Sequence, residues 1–242
     1  MKILLLTAVF WNILDDKKLS INNGFLELLK KSGYKCKKRS KKLIKDSNDF
    51  ELIYYVVQKD NKPSIIIIPD TVSRHRPYPI YVYIFAIAIY ALNPGMSMRE
   101  AAKITGSRFK ITNFSASTLC RVIKRLEPKI CDMAAVFSSI ADGQLNSVDD
   151  VSIETALSML NALDDENPTE VKTNDGQEEK TQAEQTVPAR LRLRGLFDTA
   201  FFNEIIEKIK NNKLTQSNKT RFMEYIRRFW RKYFLLYKKI LV

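Results

Sequence analysis

The sequence predicts a mainly α-helical fold with a small β-hairpin element, a helix-turn-helix body, a disordered acidic linker and a C-terminal helical segment. Three observations lead to this prediction. Apolar residues recur at helical spacing in residues 77–137 and again after Phe222. Two short β-branched or apolar runs flank a polar turn near Asp60. Residues 164–189 lack aromatic side chains and periodicity, as disordered segments do. The predicted divisions are 1–140 for the folded domain, 141–190 for the linker and 191–242 for the tail.

The first elements are predicted to be one or two short helices within residues 1–35. The segment from Phe25 to Lys31 is amphipathic and ends at Ser32-Gly33, which is a typical helix stop. Further along, residues 50–57 and 64–68 are rich in β-branched or apolar side chains. The turn-forming residues between these runs include Asp60, Asn61 and Pro63, so a β-hairpin is expected.

The apolar run from Ile80 to Leu92 is predicted to be a buried core helix. A helix of this length spans about 20 Å, which is short of the roughly 30 Å hydrocarbon core of a bilayer. The first residues of the chain are apolar like a signal peptide, but no small-x-small cleavage site follows them. With three cysteines, an odd number, a disulfide scaffold is not expected. We therefore expect a cytoplasmic protein without a membrane partner.

The charge of the chain is unevenly distributed. The net charge of +13 over 242 residues divides into +13 for residues 1–140, −9 for residues 141–190 and +9 for residues 191–242. Basic blocks of this kind are typical of proteins that bind nucleic acid or an anionic membrane, whereas a solvated lysine-rich surface is the alternative. The single histidine, His75, argues against a zinc-hydrolase cluster and a Ser-His-Asp triad. No enzyme activity, cofactor or metal is expected.

Residues 97–126 hold the most informative pattern. Ser97 and Glu100 form a capping-box signature at the start of one short helix. After a loop over residues 105–114, a second helix begins near Ser115. Its apolar side chains fall on one face, and these are Leu119, Val122, Ile123 and Leu126. The opposite face is polar and cationic, so this helix suits the major groove of DNA, where serine and threonine bond phosphates or base edges and arginine recognises guanine.

The expected partner is nucleic acid, and duplex DNA is the favoured form. The residues expected to contact it are Arg74, Arg76, Arg99, Lys103, Ser117, Thr118, Arg121, Lys124 and Arg125. The same helical pattern also occurs in interaction bundles, and the loop is longer than the usual turn of a helix-turn-helix. A helical protein-interaction or structural protein is therefore the alternative function.

The C-terminal segment is predicted to be an amphipathic helix with a basic face. Its apolar positions alternate spacings of four and three, and they are Phe222, Ile226, Phe229, Tyr233, Leu236 and Ile240. Such a seam packs against the body of the protein or against a second copy of the chain, which makes a homo-oligomer the second expected partner. Nucleic acid and an anionic surface remain alternatives for the basic face.

Four short motifs follow one another between residues 34 and 126. They are Ile68-Pro69-Asp70, Arg74-His75-Arg76-Pro77-Tyr78, Ser97-Met98-Arg99-Glu100-Ala101-Ala102 and Ser115-Ala116-Ser117-Thr118-Leu119-Cys120-Arg121. In this order they resemble an uncharacterised bacterial family of transposase-like proteins, in which a zinc ribbon precedes a helix-turn-helix. The resemblance implies DNA binding by a mobile-element or phage-like protein.

The sequence departs from that family in two respects. Family ribbons hold zinc with two Cys-x-x-Cys pairs, but only Cys36 lies near that position, so a metal-free ribbon is predicted. A ribonuclease-H-like catalytic region needs three carboxylates placed on strands and helices, whereas the acidic residues after position 140 cluster in the predicted linker. A transposase remnant without turnover is the third hypothesis.

Overall fold

The computed structural model describes residues 2–6, 10–14, 18–45, 48–72, 77–140, 152–165, 188–211 and 213–237. The fold is mixed α/β, because these residues contain a six-stranded sheet as well as many helices. The prediction of a mainly α-helical chain with only a small β-hairpin was therefore wrong in its strand content.

The strands are β1 (Lys2–Leu6), β2 (Trp11–Leu14), β3 (Lys18–Ile21), β4 (Lys35–Lys45), β5 (Asn48–Gln58) and β6 (Ile65–Pro69). The helices are α1 (Asn23–Lys31), α2 (Ile80–Leu92), α3 (Met98–Arg108), α4 (Ala116–Leu126), α5 (Ile130–Ile140), α6 (Ile153–Asp165), α7 (Ala189–Phe197), α8 (Ala200–Lys210) and α9 (Gln216–Tyr237).

The chain forms two compact units. Unit 1 comprises the described residues within 1–43, 49–70 and 149–186, and unit 2 comprises those within 44–48, 71–148 and 187–242. The divisions at residues 140 and 190 stay a prediction.

The sheet in unit 1 has the strand order β1-β6-β5-β3-β2, with β5 at its centre. Strand β6 pairs in parallel with β1 and antiparallel with β5, and β5 pairs in parallel with β3, which is antiparallel to β2. Strand β4 pairs with β5. The side chains from Ile65 to Ile68 are all buried, as in a strand that is covered on both faces. The predicted hairpin is confirmed, with Tyr55 opposite Ile67.

The expectation of helices at the N-terminus was largely wrong, because β1, β2 and β3 occupy most of that region. Lys2 lies opposite Ile65 in the parallel pairing of β1 with β6. A pairing between residues so distant in sequence leaves no local periodicity from which it can be predicted. The predicted helix near Phe25 is confirmed as α1, and the chain leaves it through Gly33, whose φ is 88°.

Helix α6 lies within the predicted linker and belongs to unit 1. It contacts β1, its residues Ala156 and Leu160 are buried, and the Tyr34 hydroxyl donates to Asn161 Oδ1 at 3.1 Å. This stretch of the predicted linker is therefore folded. The rest of the predicted disordered linker falls mainly on residues 141–151 and 166–187, which lie outside the described residues.

The core of unit 2 is built around α2. Nearly every side chain from Ile80 to Ala91 is buried, which confirms the prediction of a core helix. The helix contacts α3, α4, α7, α8 and α9. No helix among the described residues combines the length and the apolar character needed to cross a bilayer.

The predicted seam of the C-terminal helix packs inside unit 2. Helix α9 contacts α2 and α5, and Phe229 stacks on Phe137 of α5 with ring centroids 3.9 Å apart. Phe222 lies edge-on to Phe85 of α2 at 5.4 Å. The described seam residues Phe222, Ile226, Phe229 and Tyr233 are buried. The homo-oligomer expected through this seam stays a prediction, and Ile240 lies outside the described residues.

Candidate nucleic-acid interface

Helix α3 begins with the predicted capping box. The Glu100 amide donates to Ser97 Oγ at 3.2 Å, and the Ser97 amide donates to Glu100 Oε2 at 2.8 Å. The Ser97 hydroxyl also donates to Glu100 Oε2 at 2.8 Å. Because the amide and then the hydroxyl of Ser97 donate to this carboxylate, the pKa of Glu100 lies below its usual range. The start of α3 is therefore determined by residues that are close together in sequence.

Residues 109–115 connect α3 to α4 and are held on α2 by aromatic contacts. Phe109 lies edge-on to Phe85 with ring centroids 5.0 Å apart, and Phe114 lies 5.4 Å from the Tyr78 ring and 5.9 Å from the Tyr83 ring. Both phenylalanines are buried. This connection is longer than a usual helix-turn-helix turn. The helix-turn-helix assignment accordingly stays a prediction.

The N-terminus of α4 carries a group of three hydroxyls. Ser115 is the N-cap, and its Oγ accepts from the Thr118 amide at 3.2 Å. The same Oγ lies 2.9 Å from Ser117 Oγ and 3.0 Å from Thr118 Oγ1. Ser117 and Thr118 are among the predicted contact residues, whereas Ser115 is not. A serine three residues before Thr118, at the start of an amphipathic run, is the N-cap signal that could have identified it.

The two faces of α4 differ as predicted. Leu119, Val122, Ile123 and Leu126 are buried, and α4 contacts α2 and α3. Arg121, Lys124 and Arg125 are exposed, as is Ser117, whereas Thr118 is half-buried. On α3, Arg99 and Lys103 are exposed. Arg74 and Arg76 lie outside the described residues.

These two helices carry five exposed cations. No ion pair in the described part of the chain involves Arg99, Lys103, Arg121, Lys124 or Arg125. Arg121 Nε donates to the carbonyl oxygen of Ser117, one turn earlier in α4, at 3.3 Å. On a helix, residues 121, 124 and 125 share one face because they are three and four positions apart. Helix α4 therefore presents an exposed cationic face formed by Arg121, Lys124 and Arg125.

An open groove of about 950 Å³ lies beside α3 in unit 2. Its lining includes Lys103, Ile104 and Arg108 from α3 and Ile206 and Ile209 from α8. Lys103 therefore borders this groove, whereas α4 contributes no residue to the lining. No group of three or more His, Cys, Asp or Glu side chains among the described residues is arranged to hold a metal ion.

Comparison of the chain with protein-family models, with curated proteins and with solved structures gives no match. The resemblance to transposase-like proteins thus rests on the short motifs quoted above.

Proposed function

We propose that this chain is a non-enzymatic DNA-binding protein of mobile-element or phage type, in which α4 contacts duplex DNA. The observation that carries the proposal is the cationic face of α4. Three basic side chains, Arg121, Lys124 and Arg125, are exposed on a helix that contains no acidic residue. The opposite face of the same helix is buried in unit 2.

The hydroxyls at the N-terminus of α4 support the same proposal. Ser115, Ser117 and Thr118 lie within about one helical turn, and small hydroxyl side chains donate to phosphate oxygens and to base edges. Arg121 follows one turn later. In this arrangement the hydroxyls position the helix on the backbone, and the arginine reads a base in the major groove.

A protein-interaction role is the second candidate. A basic C-terminal helix that pairs with a partner would need its apolar seam to be accessible. The described seam residues contact α2 and α5 within unit 2 instead, so this candidate depends on the basic face of α9 alone. The DNA-binding proposal is favoured because the cations of α4 require no rearrangement of the core.

The proposal is tested with Arg121→Ala in the full chain. Binding to duplex DNA is measured by fluorescence anisotropy over a salt series, and the melting temperature is measured in parallel. On a selected duplex site we expect the variant to lose roughly 1–3 kcal/mol of binding free energy. The melting temperature should stay almost unchanged, because exposed arginines contribute little to stability. Arg194→Ala is the matched control, since Arg194 is an exposed arginine on α7 of the same unit.

Two results would contradict the proposal. One is a wild type that does not bind duplex DNA at low salt. Equally, its log affinity should fall with log salt concentration with a slope of roughly −0.9 per phosphate contact, and the absence of this fall would contradict the proposal. The other is an Arg121→Ala variant with wild-type DNA affinity. A lowered melting temperature or altered oligomeric state with intact DNA binding would instead favour the protein-interaction role.

A further inference from the structure

A second cationic surface lies in unit 1, on strand β4. The eight residues from Lys35 to Lys42 contain six basic side chains and no carboxylate. Lys35, Lys37, Lys38, Arg39 and Lys42 are exposed, and Lys41 is half-buried. No ion pair among the described residues involves Lys35, Lys37, Lys38 or Arg39. The predicted contact residues include none of these side chains.

The strand arranges its cations in rows. Alternate residues of a β-strand lie on the same face, about 6.6–6.8 Å apart. Lys35, Lys37 and Arg39 therefore form a straight, evenly spaced row of positive charge. Among the described strands β4 pairs only with β5, so its other edge has no strand partner in the part of the chain that the structure describes.

Protection of an exposed edge explains only part of this composition. Lysines commonly prevent edge strands from pairing with other chains, but one or two inward or edge-facing charges are enough for that purpose. Six cations in eight residues repel one another, which destabilises the folded strand. A bound polyanion with regularly spaced charges would remove this repulsion.

We propose that β4 is a binding surface for the sugar-phosphate backbone of single-stranded nucleic acid, with Lys35, Lys37 and Arg39 as its phosphate contacts. A single strand can extend along a straight row of cations, whereas the backbone of a duplex curves away from it. Strand β5, which pairs with β4, also carries the half-buried Tyr54 and Tyr55. Because neighbouring residues of a strand lie on opposite faces, one of these two rings shares the sheet face of the β4 row. Aromatic side chains in the same sheet as a basic run are a combination that single-strand-binding proteins use, because bases stack on the rings.

Nucleic acid fits this surface better than a membrane does. Basic segments that lie on membranes also insert large apolar side chains into the headgroup region. The side chains described between Lys35 and Lys42 include none of that type. The proposal goes beyond the function assigned to α4, because it concerns the other unit and a different form of nucleic acid.

The test compares two full-length double variants that each remove two exposed positive charges from unit 1. Lys37→Gln/Arg39→Gln changes the row on β4, and Lys18→Gln/Lys31→Gln changes exposed lysines of β3 and α1. Binding of a fluorescent single-stranded oligonucleotide of mixed sequence is measured between roughly 50 and 200 mM salt. For the β4 variant we expect the slope of log affinity against log salt concentration to fall in magnitude by about 1.4, which is about 0.7 for each lost phosphate contact. The control and the charge-preserving Lys37→Arg/Arg39→Lys variant should keep the wild-type slope.

Four outcomes would overturn the proposal. The slope of the β4 variant could equal that of the wild type, or the control could lose as much as the β4 variant. An equal loss on duplex and single-stranded probes would remove the assignment to single strands, as would a loss confined to anionic vesicles. Failure of the function proposed for α4 would be recognised separately, because Arg121→Ala is measured on duplex DNA.

Discussion

Gly106 determines how closely the chain after α3 approaches that helix. The Ile111 amide donates to the Gly106 carbonyl at 2.7 Å, and a Cβ atom at position 106 would lie 2.7 Å from the Ile111 carbonyl oxygen. Because the atom that would clash belongs to the backbone, a side chain can only be accommodated if the connection to α4 moves. Glycine is required here for close approach rather than for an unusual backbone conformation.

We therefore expect Gly106→Ala to lower the free energy of unfolding by about 1–3 kcal/mol, the usual cost of an added methyl group in a tightly packed site. Gly195→Ala is the matched control, because Gly195 lies within α7 and its Cβ would meet no atom within 4 Å. The control should raise stability by about 0.5–1 kcal/mol through helix propensity alone. Urea unfolding followed by circular dichroism measures both, and equal effects would contradict the packing argument.

Lys41 is the residue on β4 whose charge is affected by burial. Desolvation lowers its pKa to about 8, whereas an unfolded lysine titrates near pH 10.4. Between these two values the unfolded chain binds more protons than the folded chain, so the contribution of Lys41 to the free energy of unfolding rises with pH. At neutral pH the buried charge is destabilising.

This dependence is measured against Lys41→Met by denaturant unfolding at about pH 7 and about pH 10, the two sides of the window between those pKa values. At the lower pH the variant should have the higher free energy of unfolding. As the pH rises, the free energy of unfolding of the wild type should increase relative to that of the variant. A stability difference that is constant across the window would show that the charge of Lys41 is not desolvated.

At the scale of whole elements, Arg190 joins α7 to the end of α2. Its Nη2 lies 2.8 Å from the Tyr90 carbonyl oxygen and 3.0 Å from the Met96 carbonyl oxygen, and it also contacts the carbonyl of Asn93. The guanidinium lies over the Tyr90 ring at 4.2 Å from its centroid. The Tyr90 carbonyl lies in the last turn of α2, where a helix leaves acceptors without intrahelical donors, and the other two carbonyls follow the helix.

Arg190→Ala should therefore lower the free energy of unfolding by about 2–3 kcal/mol, since it removes charge-assisted hydrogen bonds and leaves part-buried acceptors unpaired. Arg194→Ala, on an exposed position of the same helix, should change stability by less than about 0.5 kcal/mol. Chemical denaturation of the two variants provides the comparison. Similar losses in both would mean that the carbonyl contacts of Arg190 contribute little.

The elements that could be predicted from sequence are those with local causes. Three features depend on residues that are only a few positions apart. They are the capping box of Ser97 and Glu100, the buried face of α4 and the turn after β5. The basic run of β4 has no such local signal, because residues 35–42 contain none of the β-branched or aromatic side chains that mark a strand. Its strand conformation depends on pairing with β5.

At the scale of the whole molecule, charge is distributed along the chain in blocks. The net charge of −9 for residues 141–190 separates two basic regions, one of +13 and one of +9. In the part of the chain that the structure describes, the C-terminal helices α7, α8 and α9 belong to unit 2 with α2 to α5. Aromatic contacts such as that between Phe137 and Phe229 join the early and late parts of this unit.

The sequence by itself determined the basic character of the chain, the positions of α1 to α4, the seam of α9 and the hairpin of β5 and β6. Each of these depends on composition, on periodicity or on caps that are read within one turn or one hairpin. Only the tertiary structure decided that β1 pairs with β6 and that α6 joins the sheet unit. It also decided that the seam of α9 packs on α2 and α5 rather than remaining exposed. The physical reason is that burial and strand pairing between residues far apart in sequence are decided by the free energy of the complete fold, which no local pattern contains.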